Sequence, residues 1–241
     1  MGLYLDSAVA GEVEELARLP VLFGVTTNPT LVCAALGLAP GGSHVAAGDA
    51  DELPWETPSE RELDLYRSLL RRLGPDRPLF VQVPSVPAER MAAAARRRAV
   101  VGAARVIFKL PATWDGIRAA TLLKEQGYRV ALTAVYTPEQ AYAGALAGVD
   151  FVIPYVGRIR AAGADFRQAL EQMAGLIRKG GSPTRLLAAS VKSPEDARWS
   201  LLSGADDVSV PFAVFQALIA HPSTEEALRA FDASWAALSS G

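Results

Sequence analysis

Eight short apolar runs punctuate the chain, none longer than seven residues, and the segments between most of them carry helical spacing. The runs are GLYLD (2–6), VLFGV (21–25), PLFVQV (78–83), ARVIFKL (104–110), YRVALTA (128–134), DFVIPYV (150–156), TRLLAAS (184–190) and DVSVP (207–211). They are mostly Val, Ile, Leu and Phe without polar alternation, as parallel strands covered on both faces are. Between them, sets such as Ala119, Ala120, Leu122, Leu123 and Ala169, Leu170, Met173, Leu176, Ile177 fall on single helical stripes. Thr137-Pro138-Glu139-Gln140 and Ser193-Pro194-Glu195-Asp196 each place a capping hydroxyl before a proline in the first helical position. Eight strand–helix units predict an α/β protein, a (β/α)₈ barrel over residues 1–241. The alternative is a doubly wound open sheet, but no G-x-G-x-x-G follows the first run to support a dinucleotide fold. Half of the 241 residues are apolar, enough to fill such a core.

One stretch breaks the rhythm. Residues 37–60, rich in Gly, Pro, Asp and Glu, have no sustained period and read as an inserted loop, either a surface excursion or a lid, before a helix near 59–73. His44 lies in it and His221 is the only other histidine, so a His-rich metal site cannot be built. A net charge of −2 gives no field for nucleic acid or an anionic membrane, and the RRR at 96–98 reads as a solvated helix face. The lone Cys33 cannot form an internal disulfide and reads as a small buried residue. The N-terminus lacks a basic region and a long apolar stretch, so a cytoplasmic location is expected. After the eighth unit, residues 223–238 carry Ala227, Leu228, Phe231, Trp235 and Leu238 on one helical stripe, to be packed on the barrel or on a neighbouring chain.

In a barrel of this kind the pocket is at the C-terminal ends of the strands. The polar residues there are Asp6; Thr26 with Thr27 and Asn28; Gln82; Lys109; Thr133; Tyr155 with Arg158; and Ser190 with Lys192. Most have ordinary structural uses: Asp6 and Asn28 as caps or turn formers, Thr133 as a hydroxyl satisfied by backbone, Tyr155 at an amphipathic rim. Lys109 differs, because an ammonium ion at the end of the run Val106-Ile107-Phe108 loses hydration with few structural returns. A desolvated lysine is a nucleophile toward a carbonyl, with Ile107, Phe108 and Leu110 expected to form its apolar surround. The resulting imine is an electron sink for breaking a bond two carbons away, provided that a group takes a proton from the departing hydroxyl. Gln82, Thr133 and Tyr155 can hold a water for that task, and Arg158, Ser190 and Lys192 form a positive corner suited to a phosphate.

LYLDSA (3–8), GVTTNPTLV (24–32), FVQV (80–83), FKLPAT (108–113), LTAVY (132–136), PYVGRI (154–159) and LAASVK (187–192) together resemble the transaldolase family, and most of all its short, fructose-6-phosphate aldolase type. The resemblance implies a (β/α)₈ barrel, no cofactor or metal, and a three-carbon ketone unit carried as an imine on Lys109. It implies further that Asp6 assists proton movement, that Thr26 and Asn28 line the donor site, that Gln82, Thr133 and Tyr155 order the water, and that Arg158 and Ser190 hold the phosphate. It also implies a ring, a pentamer or decamer, in which the tail helix reaches the next subunit. Gln82, Tyr155 and Lys192 stand where transaldolases proper usually have a carboxylate, a phenylalanine and a second arginine, and so lean toward the aldolase type. Gly157 leans the other way, since that type tends to have asparagine there, and Ile153 is bulkier than the residue expected beside the donor hydroxyls. Three functions follow: transfer of a dihydroxyacetone unit from a ketose phosphate to an aldose phosphate, aldol chemistry with free dihydroxyacetone, and a non-catalytic binding barrel.

Overall fold

The computed structural model describes residues 1–39 and 53–239; most of the inserted segment, His44 included, lies outside them. In chain order the elements are β1 (Gly2–Asp6), α1 (Ala10–Ala17), β2 (Leu22–Thr26), α2 (Pro29–Ala35), α3 (Glu60–Leu73), β3 (Leu79–Gln82), α4 (Ala88–Ala99) and β4 (Val106–Pro111). There follow α5 (Trp114–Glu125), β5 (Arg129–Val135), α6 (Pro138–Leu146), β6 (Phe151–Pro154), α7 (Val156–Ala161), α8 (Phe166–Lys179), β7 (Arg185–Ala188), α9 (Pro194–Leu202), β8 (Asp207–Val210), α10 (Phe212–Ala217) and α11 (Pro222–Ser239). All strands are parallel, and β1 pairs with both β2 and β8, so the sheet closes as β1-β2-β3-β4-β5-β6-β7-β8. Closure removes the open-sheet alternative.

Two apolar layers divide the work by strand periodicity, since alternate residues face opposite sides of a strand. Residues facing the helices, among them Val81, Phe108, Leu110, Val130 and Leu132, join the large core between sheet and helices. Those facing inward, Tyr4, Phe80, Ile107, Ala131, Phe151, Ile153, Leu187 and Ala189, fill the barrel's lower interior. Tyr4, Phe80 and Phe151 meet edge to face there, with Phe80 and Phe151 centroids 5.1 Å apart. The uppermost of these residues, Ile153 and Ala189, line the open space at the C-terminal mouth.

The capping signals act as expected: Thr137 accepts from the Gln140 amide in a reciprocal capping box, and Ser193 accepts from Asp196. Arg98 departs from the solvated face expected of RRR. At helical spacing Arg96 and Arg97 face outward while Arg98 turns inward and is buried. There it donates to Glu62 at 2.8 Å and to the carbonyls of Trp55 and Glu56, both at 3.0 Å. Arg90 forms an ion pair with the buried Glu56. The 3₁₀ turn Pro54–Glu56, toward the end of the inserted segment, is thereby fastened to α4 and α3 by charge-assisted bonds. Cys33 is half-exposed on α2, not buried as expected, because the apolar face of that short helix is carried by Val32. None of the residues of α11 is buried, and Leu228, Phe231, Trp235 and Leu238 all stand exposed. Among the described residues no helix is long and apolar enough to cross a membrane.

Candidate active site

The mouth of the barrel holds a cavity of about 580 Å³. Of the eleven polar residues expected at the strand ends, nine line it, Asp6, Thr26, Asn28, Gln82, Lys109, Tyr155, Arg158, Ser190 and Lys192, while Thr27 is buried beside it with its carbonyl toward Lys109. Thr133 does not line it either, and donates to the Tyr155 hydroxyl oxygen at 3.0 Å rather than to backbone. Strand register sets Asp6 beside Thr26 and Gln82 beside Lys109, with Thr133 opposite Pro111, two residues beyond Lys109.

Lys109 is only 4% exposed, and its Nζ donates to the carbonyl of Thr27 at 2.7 Å. Burial pulls its pKa from 10.5 down to about 8, against the opposing pull of the Asp6 carboxylate. Its apolar surround differs from the one its sequence neighbours promise. Phe108 and Leu110 point to the helices, and the residues that share the interior with Lys109 are Ile107, Phe80 and Ala131.

Asp6 accepts a hydrogen bond from Thr26 Oγ1 at 2.9 Å, and the same oxygen lies 2.6 Å from Ser209 Oγ. Asn28 is both cap and lining residue: its Oδ1 accepts from the Leu31 amide at the start of α2, which leaves its Nδ2 as a donor. Gln82 Oε1 is buried with no hydrogen-bond partner among the described residues, an acceptor whose desolvation is uncompensated by the protein. The Tyr155 hydroxyl is raised above the ordinary phenol range, chiefly by burial, and its ring carries the Arg158 guanidinium at 5.2 Å. Arg158 and Lys192 are exposed at the rim. The Lys192 amide donates to Asp196 Oδ2 at 3.1 Å, and Arg160 pairs with the same carboxylate, which fixes the loop from β7 into α9.

Two residues at the mouth have a left-handed backbone that side chains rarely adopt: Ala134 at φ 56° and Ser190 at φ 59°. Ala134 is the extra residue of a bulge where the β5–β6 register shifts between Thr133 and Val135. The bulge brings Ala134 to the cavity wall beside Ile153. Strain of this kind is held only where surrounding structure fixes it, and it clusters at ligand sites.

Sequence reasoning missed Ser209, the Thr27 carbonyl and Ala134. The eighth run, DVSVP, contains a single hydroxyl, at Ser209, and that was the available signal. The other two depend on backbone geometry that residue types do not announce.

A model of the family described as transaldolase/fructose-6-phosphate aldolase matches residues 3–240. Proteins named probable transaldolase in two strains of Thermus thermophilus are 34% and 33% identical to this chain over 235 residues, covering 98% of it and 98% of each of them.

Proposed function

Since the chain belongs to the transaldolase/fructose-6-phosphate aldolase family and is an enzyme of the transaldolase and aldolase class, we propose that it transfers a dihydroxyacetone unit from a ketose phosphate to an aldose phosphate through an imine on Lys109. The observation that carries this reading is the buried amine of Lys109, held at 2.7 Å by a backbone carbonyl at the cavity with its pKa lowered to about 8. A binding barrel has no use for a desolvated amine.

Lys109 Nζ adds to the ketone carbon, and loss of water leaves an iminium. The hydroxyl two carbons from the imine carbon then gives up its proton, and its O–H electrons close a carbonyl. The carbon–carbon bond between them breaks, and its electron pair moves to the iminium, giving an enamine. Among the described residues that line the cavity Asp6 is the only carboxylate, so the proton ends there, relayed by a water ordered by Gln82, Thr133 and Tyr155. Reversal of these steps on an acceptor aldehyde completes the transfer. Arg158 and Lys192 supply positive charge and Ser190 a hydroxyl, the donors that a phosphate at the rim requires.

Aldol chemistry with free dihydroxyacetone is the second reading, and Gln82 with Tyr155 favours it. A water between a neutral amide and a phenol is a weaker base than one beside a carboxylate, while the phenol can donate to an acceptor oxygen. Purified protein given fructose 6-phosphate with and without erythrose 4-phosphate tests both. Transfer requires the acceptor, aldol cleavage releases dihydroxyacetone without it, and a protein that does neither under both conditions overturns the assignment.

The exposed stripe of α11 supports a ring assembly, a pentamer or decamer, in which each tail helix covers a neighbour.

A further inference from the structure

We infer that Ser209 is a positioning residue for the proton-accepting carboxylate, acting on Asp6 through Thr26. The inference rests on the Lys109 reading above and adds to it the residue that orients its base. Ser209 is on β8, fully buried, and no part of it lines the cavity. It acts across β1, because β1 pairs with β8 through Tyr4 and Ser209 and with β2 through Asp6 and Thr26.

The argument is one of hydrogen count. Thr26 Oγ1 carries a single hydrogen and donates it to Asp6 Oδ1 at 2.9 Å. The 2.6 Å contact between Thr26 Oγ1 and Ser209 Oγ then has only one source of a hydrogen, the serine. The donors run in one direction, from Ser209 to Thr26 to Asp6. A hydroxyl that accepts one bond while donating another is a stronger and better-aimed donor than one that only donates. Ser209 also fixes the Thr26 rotor, so that the Asp6 oxygen not engaged by Thr26 remains free to take the substrate proton. Ser209 does not line the cavity and reaches the carboxylate only through Thr26, so the expected effect is on turnover more than on binding.

The test is Ser209→Ala, alone and with Thr26→Val, in the full-length protein. Three quantities are measured: turnover with fructose 6-phosphate and erythrose 4-phosphate, KM, and borohydride trapping of the ketose on Lys109. Ser209→Ala is expected to lower kcat about fivefold to tenfold, the equivalent of one neutral hydrogen bond, with KM changed less than about twofold and trapping retained. Ser209→Thr, which restores the hydroxyl, is expected to recover most of the loss. On a Thr26→Val background Ser209→Ala should add no further loss, because the path it acts through is already cut. Wild-type kcat in Ser209→Ala, an undiminished loss on the Thr26→Val background, or equal losses in Ser209→Ala and Ser209→Thr would each overturn the proposal. Absence of trapping in the wild-type protein would overturn the Lys109 reading and this one together, and is distinguished by appearing before any variant is made.

Discussion

A Cβ built on Gly157 would stand 2.3 Å from the carbonyl oxygen of Ser190, so the left-handed turn at Ser190 and the absence of a side chain at 157 require each other. Sequence comparison alone makes Gly157 a marker of one family type over another. In the fold it is the space into which the β7 loop sets Ser190 beside Arg158 and Lys192.

Gly157→Ala is therefore expected to displace Ser190, since the obstructing atom is backbone and cannot swing aside. Overpacking of this kind costs about 1–3 kcal/mol, readable in denaturant unfolding. KM for phosphorylated substrates should rise about tenfold while that for unphosphorylated ones changes little. A Gly157→Ala enzyme with native KM for fructose 6-phosphate would show that Ser190 takes no part in phosphate binding.

Lys109→Arg should abolish borohydride trapping of a ketose phosphate, because a guanidinium keeps the charge but supplies no free amine at ordinary pH. Mass spectrometry of the peptide containing Lys109 reads the result. Sugar mass retained in the variant would place the imine elsewhere.

The pH dependence follows from the burial of Lys109. With a pKa of about 8 roughly a tenth of the chains carry a free amine at pH 7, about 300-fold more than an unperturbed lysine at 10.5 would give. The rate of imine formation should climb as pH rises through about 8 and level off above it. The stability sign is the opposite of a stabilising pair. The folded pKa is below the unfolded one, so the unfolded chain binds more protons between about 8 and 10.5, and stability contributed by this group rises with pH across that window. Lys109→Met should accordingly be inactive yet more stable at pH 7, by at most about 3 kcal/mol less the lost bond to Thr27, with the advantage fading toward pH 10. A Lys109→Met protein less stable than the parent at pH 7 would mean that the buried amine is not under strain.

The barrel and the ring of strand-end residues were legible because a polar residue closing an apolar run is a strong signal in a sheet covered on both faces. Asp6 closes its run, and Gln82, Lys109 and Thr133 each stand one residue before the end of theirs. Ser209 did not, since a small hydroxyl between Val208 and Val210 is an ordinary buried strand residue, and its partner is two strands away. Arg98 was hidden by Arg96 and Arg97: three arginines in a row look like surface, and only the helical phase, set by the packing of α4, turns the third one inward. Ala134 owes its place to a backbone angle that alanine does not favour, so tertiary constraint alone puts it at the mouth.

For assembly, a chain ending at Pro222 should be smaller in light scattering than the loss of α11 explains. The stripe of Leu228, Phe231, Trp235 and Leu238 is not buried by any of the described residues, and exposed apolar faces of that kind mark interfaces. An unchanged number of subunits in the truncated protein would show that α11 does not join them.

The balance between transfer and free aldol addition should turn on the Tyr155 hydroxyl. It accepts from Thr133 at 3.0 Å, it is buried enough to raise its pKa, and Arg158 holds its ring, so its own proton is directed into the cavity and stays on oxygen at neutral pH. Addition of free dihydroxyacetone first needs a C–H proton taken from the carbon beside the iminium to make the enamine, and that proton is then returned to the new alkoxide, both moves running through the water that Tyr155 holds. In transfer the enamine arises from carbon–carbon cleavage, so the C–H step is absent and only the proton of the departing hydroxyl is moved to Asp6 and returned. Tyr155→Phe should therefore depress addition by about one to two orders of magnitude, an acid–base contribution at the low end of the usual range, and transfer by much less. Thr133→Val, which removes the bond that aims the hydroxyl and leaves the phenol itself, should produce the same asymmetry in weaker form. Equal losses in the two reactions for Tyr155→Phe would place the tyrosine in a step they share, such as loss of water in forming the imine, and would remove it as the determinant of which reaction prevails.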